Sequence, residues 1–213
     1  MPAPATRTAW RAAAADLAAR DAITAGLHDR HGVPPIGPGA PPGRRFAVLA
    51  ESIAYQQLAG RAAATIWGRV TAAVGEPFTP AAVLATPVED LRAAGLSGAK
   101  TAALLDLAAK CADGTVRLDR VARMDDRAVI DHLTVVRGIG PWTAQMFLLF
   151  DLRRIDVWPT GDYGVRAGFA RAFGLDPMPT ERQLAELGEP FAPYRSVLAW
   201  WCWREADTVT PGG

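Results

Sequence analysis

From Arg44 onward, apolar side chains recur three and four positions apart, and no stretch of useful length alternates apolar with polar residues. Such spacing gathers the apolar groups onto one stripe of a helix, whereas a half-buried strand needs strict alternation, so the chain is expected to be all-α. Phe46, Leu49 and Ile53 fall on one helical face, and Ile66 and Val70 on the next, with a break near Leu58 to Gly60. Residues 10–30 read as one earlier helix. Between them, Gly32 to Gly43 carries Pro34, Pro35, Pro38, Pro41 and Pro42, and proline both lacks a backbone donor and crowds the preceding turn, so this stretch is a connector. With 50% apolar residues in 213, the chain can bury one core or divide into two small lobes.

Later helix starts are punctuated by hydroxyl residues before proline. Thr79-Pro80 is one, and Thr86-Pro87, with Glu89 completing a capping box, is another. Ser97 caps a helix carrying Leu104, Leu105 and Leu107, which Asp113-Gly114 ends. A helix is expected from about Asp125 to Val135, another from Pro141 through Phe150, one from Asp162 to Phe173, and a last from Pro193 through Arg204, with 151–160 irregular. Three regions follow: 1–43, an N-terminal helix and connector; 44–155, a helical domain ending in a helical hairpin at about 125–150; and 156–213, whose helices join the first region in a second lobe.

Composition excludes several classes of function. Lys plus Arg number 23 against 22 Asp plus Glu, a net charge of +1, so recognition of nucleic acid by bulk positive charge is ruled out and any such contact must be local. Cys111 and Cys202 lie far apart, and His28, His31 and His132 do not join them in a ligand set, so neither a disulfide framework nor a metal held by side chains is expected. The first ten residues lack the charged start and apolar run of a secretion signal, and no segment has the apolar length to span a bilayer. A cytoplasmic protein without a membrane partner is expected.

The most informative string is Leu133-Thr134-Val135-Val136-Arg137-Gly138-Ile139-Gly140-Pro141-Trp142-Thr143-Ala144. A helix ends, glycines permit positive φ, and a new helix opens at proline with its first amides unpaired. Those amides and the positive end of the helix dipole can hold a phosphate oxygen without any lysine or arginine excess. Read alone, Gly138-Ile139-Gly140 is more readily a plain helix-turn-helix connection closed by glycine.

The longer string resembles the helix-hairpin-helix motif of DNA glycosylases, an apolar-x-G-apolar-G hairpin followed by a small residue and Thr-Ala. In that superfamily a catalytic aspartate follows an irregular loop shortly downstream, and the matching stretch here is Asp156-Val157-Trp158-Pro159-Thr160-Gly161-Asp162-Tyr163-Gly164-Val165. Together with Tyr194 to Arg204, these strings are most similar to the 3-methyladenine DNA glycosylase II family, over about Arg44 to Arg204, in a short form without the N-terminal β-rich domain of some members.

The resemblance implies a two-lobed helix-hairpin-helix glycosylase fold, with an active-site cleft between the lobes. It also implies a monomer acting on double-stranded DNA that contains a damaged base, and hence association with the nucleoid. Asp162 would be the catalytic carboxylate. Its plain structural role would be to cap the following helix, and the two roles are compatible. Trp142 and Trp203 match aromatic positions of the family's base pocket, with Tyr55, Trp158 and Tyr163 as further candidates. Arg137, Gly138, Ile139, Gly140 and Thr143 form the DNA-binding hairpin, and Arg137, Lys100 and Arg166 are candidate phosphate contacts. The segment Ile53 to Ala59 resembles the wedge that fills the gap left by a flipped nucleotide, with Gln57 or Leu58 entering the stack; two glutamines on a solvated helix face is the competing reading.

Two departures from relatives sharpen the expectation. Bifunctional members place a lysine where this chain has Trp142, which cannot form a Schiff base, so no lyase activity is expected. The iron-sulfur branch needs four cysteines, and Cys202 alone cannot hold a cluster. No cofactor is expected beyond the monovalent cation that relatives hold on the hairpin's backbone carbonyls. Excision of alkylated bases such as 3-methyladenine and 7-methylguanine is the activity implied. A glycosylase for deaminated or oxidised bases, and a non-catalytic damage-binding protein, are the alternatives.

Overall fold

The structure, a computed structural model, describes residues 4–58 and 60–207. Those residues form twelve α-helices joined by turns and several longer irregular connectors, with no strand among them. They fall into two compact units, one made of 40–147 and the other of 4–39 with 148–207.

In the unit 40–147, α3 (Arg45–Tyr55) packs on α4 (Gly60–Val74) and on α7 (Gly98–Ala112), and the short helices α5 (Pro80–Ala85) and α6 (Val88–Ala93) also lie against α7. The expected faces are buried as the spacing requires: Leu49 and Ile53 on α3, Val70 on α4, and Leu104 and Leu107 on α7 are each at most 2% exposed. Hydroxyl caps start two of these helices, Thr79 Oγ1 accepting from the Ala82 N–H at 3.2 Å and Ser97 Oγ from the Lys100 N–H at 3.3 Å. Thr86 is not a cap: its hydroxyl donates to the Ala82 carbonyl at 2.9 Å on the helix behind it, and α6 begins after Pro87 without a side-chain cap. The capping box of this chain is at Thr180 and Gln183 instead. The unit closes with α8 (Asp126–Thr134), packed on α9 (Pro141–Met146).

The other unit begins with two helices where periodicity predicts one. Asp21 interrupts the run: its Oδ1 accepts from the Ile23 and Thr24 amides at 2.8 Å each, while Thr24 Oγ1 donates to the Leu17 carbonyl at 2.6 Å, so α1 (Arg7–Ala18) ends and α2 (Ala22–His31) starts afresh. A short polar side chain that bonds its own backbone competes with helix continuation, and here it wins. These helices pack with α12 (Arg195–Asp207) and α10 (Tyr163–Phe173), burying Trp10, Leu17, Val165, Phe169 and Trp201 in one core. The last helix starts at Arg195, two residues later than its proline suggests, because the Asp156 carboxylate takes both the Arg195 amide at 3.1 Å and its guanidinium at 2.7 Å. Helix α11 (Glu181–Gly188) precedes it, and none of the helices described is long and apolar enough to cross a membrane.

One buried carboxylate ties the two ends of this unit together. Glu205 on α12, 7% exposed, accepts from His31 Nε2 at 2.6 Å and Arg30 Nε at 2.8 Å, both on α2. Burial works to raise its pKa, but the hydrogen bonds from His31 and Arg30 outweigh it and hold the carboxyl below its ordinary value. A depressed carboxylate pKa contributes stability that is complete above the unfolded-state value and is lost as pH falls through the folded-state value. Glu205→Gln is therefore expected to lower stability at neutral pH by about 2 kcal/mol and to flatten the acid limb. Thermal melting from pH 7 down to pH 3 measures both; an unchanged acid limb in the variant would reject the assignment.

Candidate active site

Within 40–147 the turn 135–140 joins α8 to α9. Gly138 has φ +79°, and a Cβ there would stand 3.0 Å from the Ala103 methyl on α7, so both conformation and space require glycine. The turn is held at several points. The Arg137 N–H donates to Asp106 Oδ2 at 2.7 Å and the Ile139 N–H to the Val136 carbonyl at 3.1 Å, while the Ile139 side chain is buried at 3% exposure. The Lys110 ammonium bonded to Asp106 is the main cause that keeps this carboxyl below the usual carboxylate range, burial opposing it and the Arg137 amide adding to it. Ile139 thus serves the core with its side chain and the turn with its amide. The start of α9 has no side-chain cap at Gly140, whereas α8 is capped by Asp125. Trp142 on that first turn is 48% exposed, and Thr143 behind it is buried.

At the far end of α3 the chain leaves the helix through Gln56, and Gln57 takes a φ of +56°. A non-glycine residue in the left-handed region costs on the order of 1 kcal/mol. Gln57 is exposed, Leu58 is 39% exposed, and Tyr55 is half-buried. The alternative of two glutamines on a helix face fails here, since neither lies within the helix.

In the unit 4–39 with 148–207, Asp162 is the N-cap of α10. Its Oδ1 accepts from the Val165 N–H at 2.9 Å and from the Trp203 indole N–H at 2.9 Å. One carboxylate oxygen is therefore fixed by two donors from different helices. Gly164 makes the second bond sterically possible, because a Cβ there would stand 2.9 Å from Trp203 Cδ1 and 3.2 Å from Asp162 Oδ1. The indole ring also stacks on Phe150, centroids 6.0 Å apart and planes 22° from parallel, and Phe150 is 43% exposed. Tyr163, at 73%, is among the most exposed large side chains described.

Trp158 does not belong with these rings. It is 8% exposed, its indole donates to the Leu184 carbonyl at 2.8 Å, and the edge of the ring fills the space where Gly188 lacks a side chain, so it is a core residue. Two of the three candidate phosphate cations each bond a carbonyl within the fold, Lys100 Nζ that of Ala54 at 2.8 Å and Arg166 Nε that of Pro179 at 2.9 Å; Arg137 is exposed. Of the candidate residues, Asp162, Tyr163 and Trp203 come together in one unit, and Gly138, Gly140, Trp142, Thr143, Tyr55, Gln57 and Leu58 lie in the other.

Phe150 and Gln56 were not legible as site residues. Phe150 ends the apolar run Phe147-Leu148-Leu149-Phe150, which reads as plain helix, but 147–151 is wound as a π-turn, and the added residue per turn changes which way each side chain points. Gln56 is distinguished only by a hydrogen bond to a residue far along the chain.

Residues 50–193, which hold both the glycine turn and Asp162, match the family described as HhH-GPD superfamily base excision DNA repair protein. The chain belongs to this superfamily. It is 33% identical over 172 residues to the DNA-3-methyladenine glycosylase 1 of Schizosaccharomyces pombe, covering 78% of this chain and 75% of that protein. Among solved HhH-GPD structures, it is similar to the DNA-3-methyladenine glycosidase of Bacillus halodurans, with a TM-score of 0.81, 31% identity, and 92% of this chain and 89% of that one covered. The S. pombe 3-methyladenine DNA glycosylase, solved in complex with abasic DNA, matches with a TM-score of 0.80 and 28% identity over 95% of this chain and 100% of that one. The all-α helix-hairpin-helix fold is thus common to this chain and its HhH-GPD relatives, as its G-I-G-P-W-T-A string implies.

Proposed function

We propose that this chain is a monofunctional, monomeric DNA glycosylase that hydrolyses the N-glycosidic bond of alkylated bases, of the 3-methyladenine and 7-methylguanine type, in double-stranded DNA. The observation that carries the reading is the Asp162 carboxylate, held by two N–H donors in an HhH-GPD chain beside the exposed faces of Phe150 and Tyr163. Cleavage at the anomeric carbon passes through an oxocarbenium-like sugar, and a fixed carboxylate stabilises that positive charge and orients the attacking water. The bond between sugar C1′ and the base nitrogen breaks, its electron pair leaves with the base, and water supplies the new C1′–O bond and releases one proton to solvent. An N-alkylated purine already carries a positive charge and departs neutral, so no second acid is needed. An electron-rich ring such as that of Trp203 stacks on a cationic base more strongly than on a neutral one.

The glycine turn supports the reading from the DNA side. Amides at the start of α9 take a phosphate oxygen without a basic patch, in keeping with the net charge of +1. The neutral carbonyl oxygens of the turn, Val136 among them, keep a second lone pair beside their hydrogen bonds and suit a monovalent cation, which would add positive charge beneath the phosphate. No step of the reaction depends on it. Trp142, standing where bifunctional relatives have lysine, offers no amine to attack the sugar.

The test is incubation of a methylated duplex with the protein, half of each sample then being treated with alkali. Strand breaks are expected only after alkali. Breaks without alkali would overturn the monofunctional reading, and no breaks above background in either half would overturn the glycosylase.

A further inference from the structure

We infer that Gln56 is a positioning residue: its side-chain amide bonds the Gln57–Leu58 turn to the glycine turn, so that the element entering the base stack is braced by the element that holds the backbone. The inference rests on the glycosylase reading and adds a role for a residue that reading does not use. Gln56 Nε2 donates to the Gly138 carbonyl at 2.9 Å and lies 3.5 Å from Thr143 Oγ1. The carbonyl can only accept, which settles which end of the Gln56 amide faces it. The bond joins α3 to a turn 82 positions later in the chain, and it lands on the glycine whose φ of +79° defines that turn.

The same end of α3 is held from a second side. Lys100 Nζ donates to the Ala54 carbonyl at 2.8 Å, taking one of the acceptors that a helix end leaves unpaired. Beyond Gln56 the only other hydrogen bond of the turn is the Leu58 N–H to the Tyr55 carbonyl at 3.2 Å, among those described. A turn with Gln57 in the left-handed region and its side chain in solvent would relax if unsupported. Driving a side chain between stacked bases pushes back on that turn, and the Gln56 amide passes the force to the hairpin instead of letting the turn yield.

The prediction separates base extrusion from chemistry. Two oligonucleotide duplexes carry a single 7-methylguanine, one paired with cytosine and one opposite an abasic-site analogue, where unpairing costs nothing. Single-turnover excision is measured with the wild type, Gln56→Met, which keeps the length but loses the donor, and Gln56→Glu, which turns an acceptor toward an acceptor. Melting temperature confirms that the variants fold. Both variants are expected to excise the paired lesion about tenfold more slowly, and the unpaired lesion within about threefold of the wild type. Lys100→Met should shift the two rates in the same direction by a smaller factor. Equal rates for wild type and variants, or equal losses on both duplexes, overturn the role of Gln56 and leave the glycosylase standing. Failure of the wild type on both duplexes overturns the glycosylase, and this inference with it.

Discussion

Replacing Asp162 with asparagine is expected to slow excision from a methylated duplex by at least about a hundredfold while leaving the melting temperature nearly unchanged. The two halves of that expectation separate the two roles of the residue. Asparagine caps a helix about as well as aspartate, and its carbonyl oxygen can still accept from the Val165 amide and the Trp203 indole, which now bond Oδ1 at 2.9 Å each. What it cannot supply is negative charge next to a developing oxocarbenium ion. Asp162→Ala removes the cap as well and should cost about 1 kcal/mol of stability besides the activity. Trp203→Phe keeps an aromatic face against Phe150 but loses the N–H donor; the carboxyl group then loses one of its anchors, and a loss of about tenfold is expected. Single-turnover kinetics and melting curves on the three variants decide the matter. Activity of Asp162→Asn within a few-fold of wild type would show that the carboxylate only caps α10.

Gly168→Ala should produce the largest loss of stability of any single-methyl change in the unit 4–39 with 148–207. A Cβ at this position would lie 1.8 Å from the Cys202 carbonyl oxygen and 2.4 Å from its carbon. Both obstacles are backbone, so no rotamer change relieves them. Helices α10 and α12 must separate, and the buried ring of Phe169 and the side chain of Val165 lose contact with Val197, Leu198 and Trp201. A cost of about 3 kcal/mol or more is expected, a fall in Tm on the order of 6 to 12 °C for a domain of this size. Because Asp162 and Trp203 are held on those same two helices, activity should fall with it. Gly68→Ala is the contrast: this exposed glycine within α4 has open space where its Cβ would be, and the change should raise stability by about 0.8 kcal/mol. A Gly168→Ala protein that melts like the wild type would mean that α10 and α12 do not approach as closely as described.

Much of the fold was legible because helix formation is local. Apolar spacing placed α3, α4, α7 and α8, and the chemistry of Thr79, Ser97 and Asp162 as caps followed from their neighbours in the chain. The exceptions are also local but turn on competition. Asp21 and Thr86 each had two backbone partners within reach, and which one a short polar side chain takes depends on small energy differences that spacing does not express. The glycine turn was readable for another reason: φ of +79° at Gly138 and the tight approach to Ala103 strongly favour glycine, so the requirement is written into the residue type.

The sequence by itself determined an all-α chain, a glycine turn closed by Gly138 between two helices, and one carboxylate at a helix start, because each rests on residues within a few positions of one another. Only the tertiary structure decided that Trp158 is core while Trp203 reaches Asp162, that Lys100 and Arg166 each bond a carbonyl, and that the Gln56 amide bonds the Gly138 carbonyl. Those outcomes depend on which helix packs beside which. A tryptophan or a glutamine has the same local signature wherever its ring or amide ends up, and only its neighbours in space distinguish packing from chemistry.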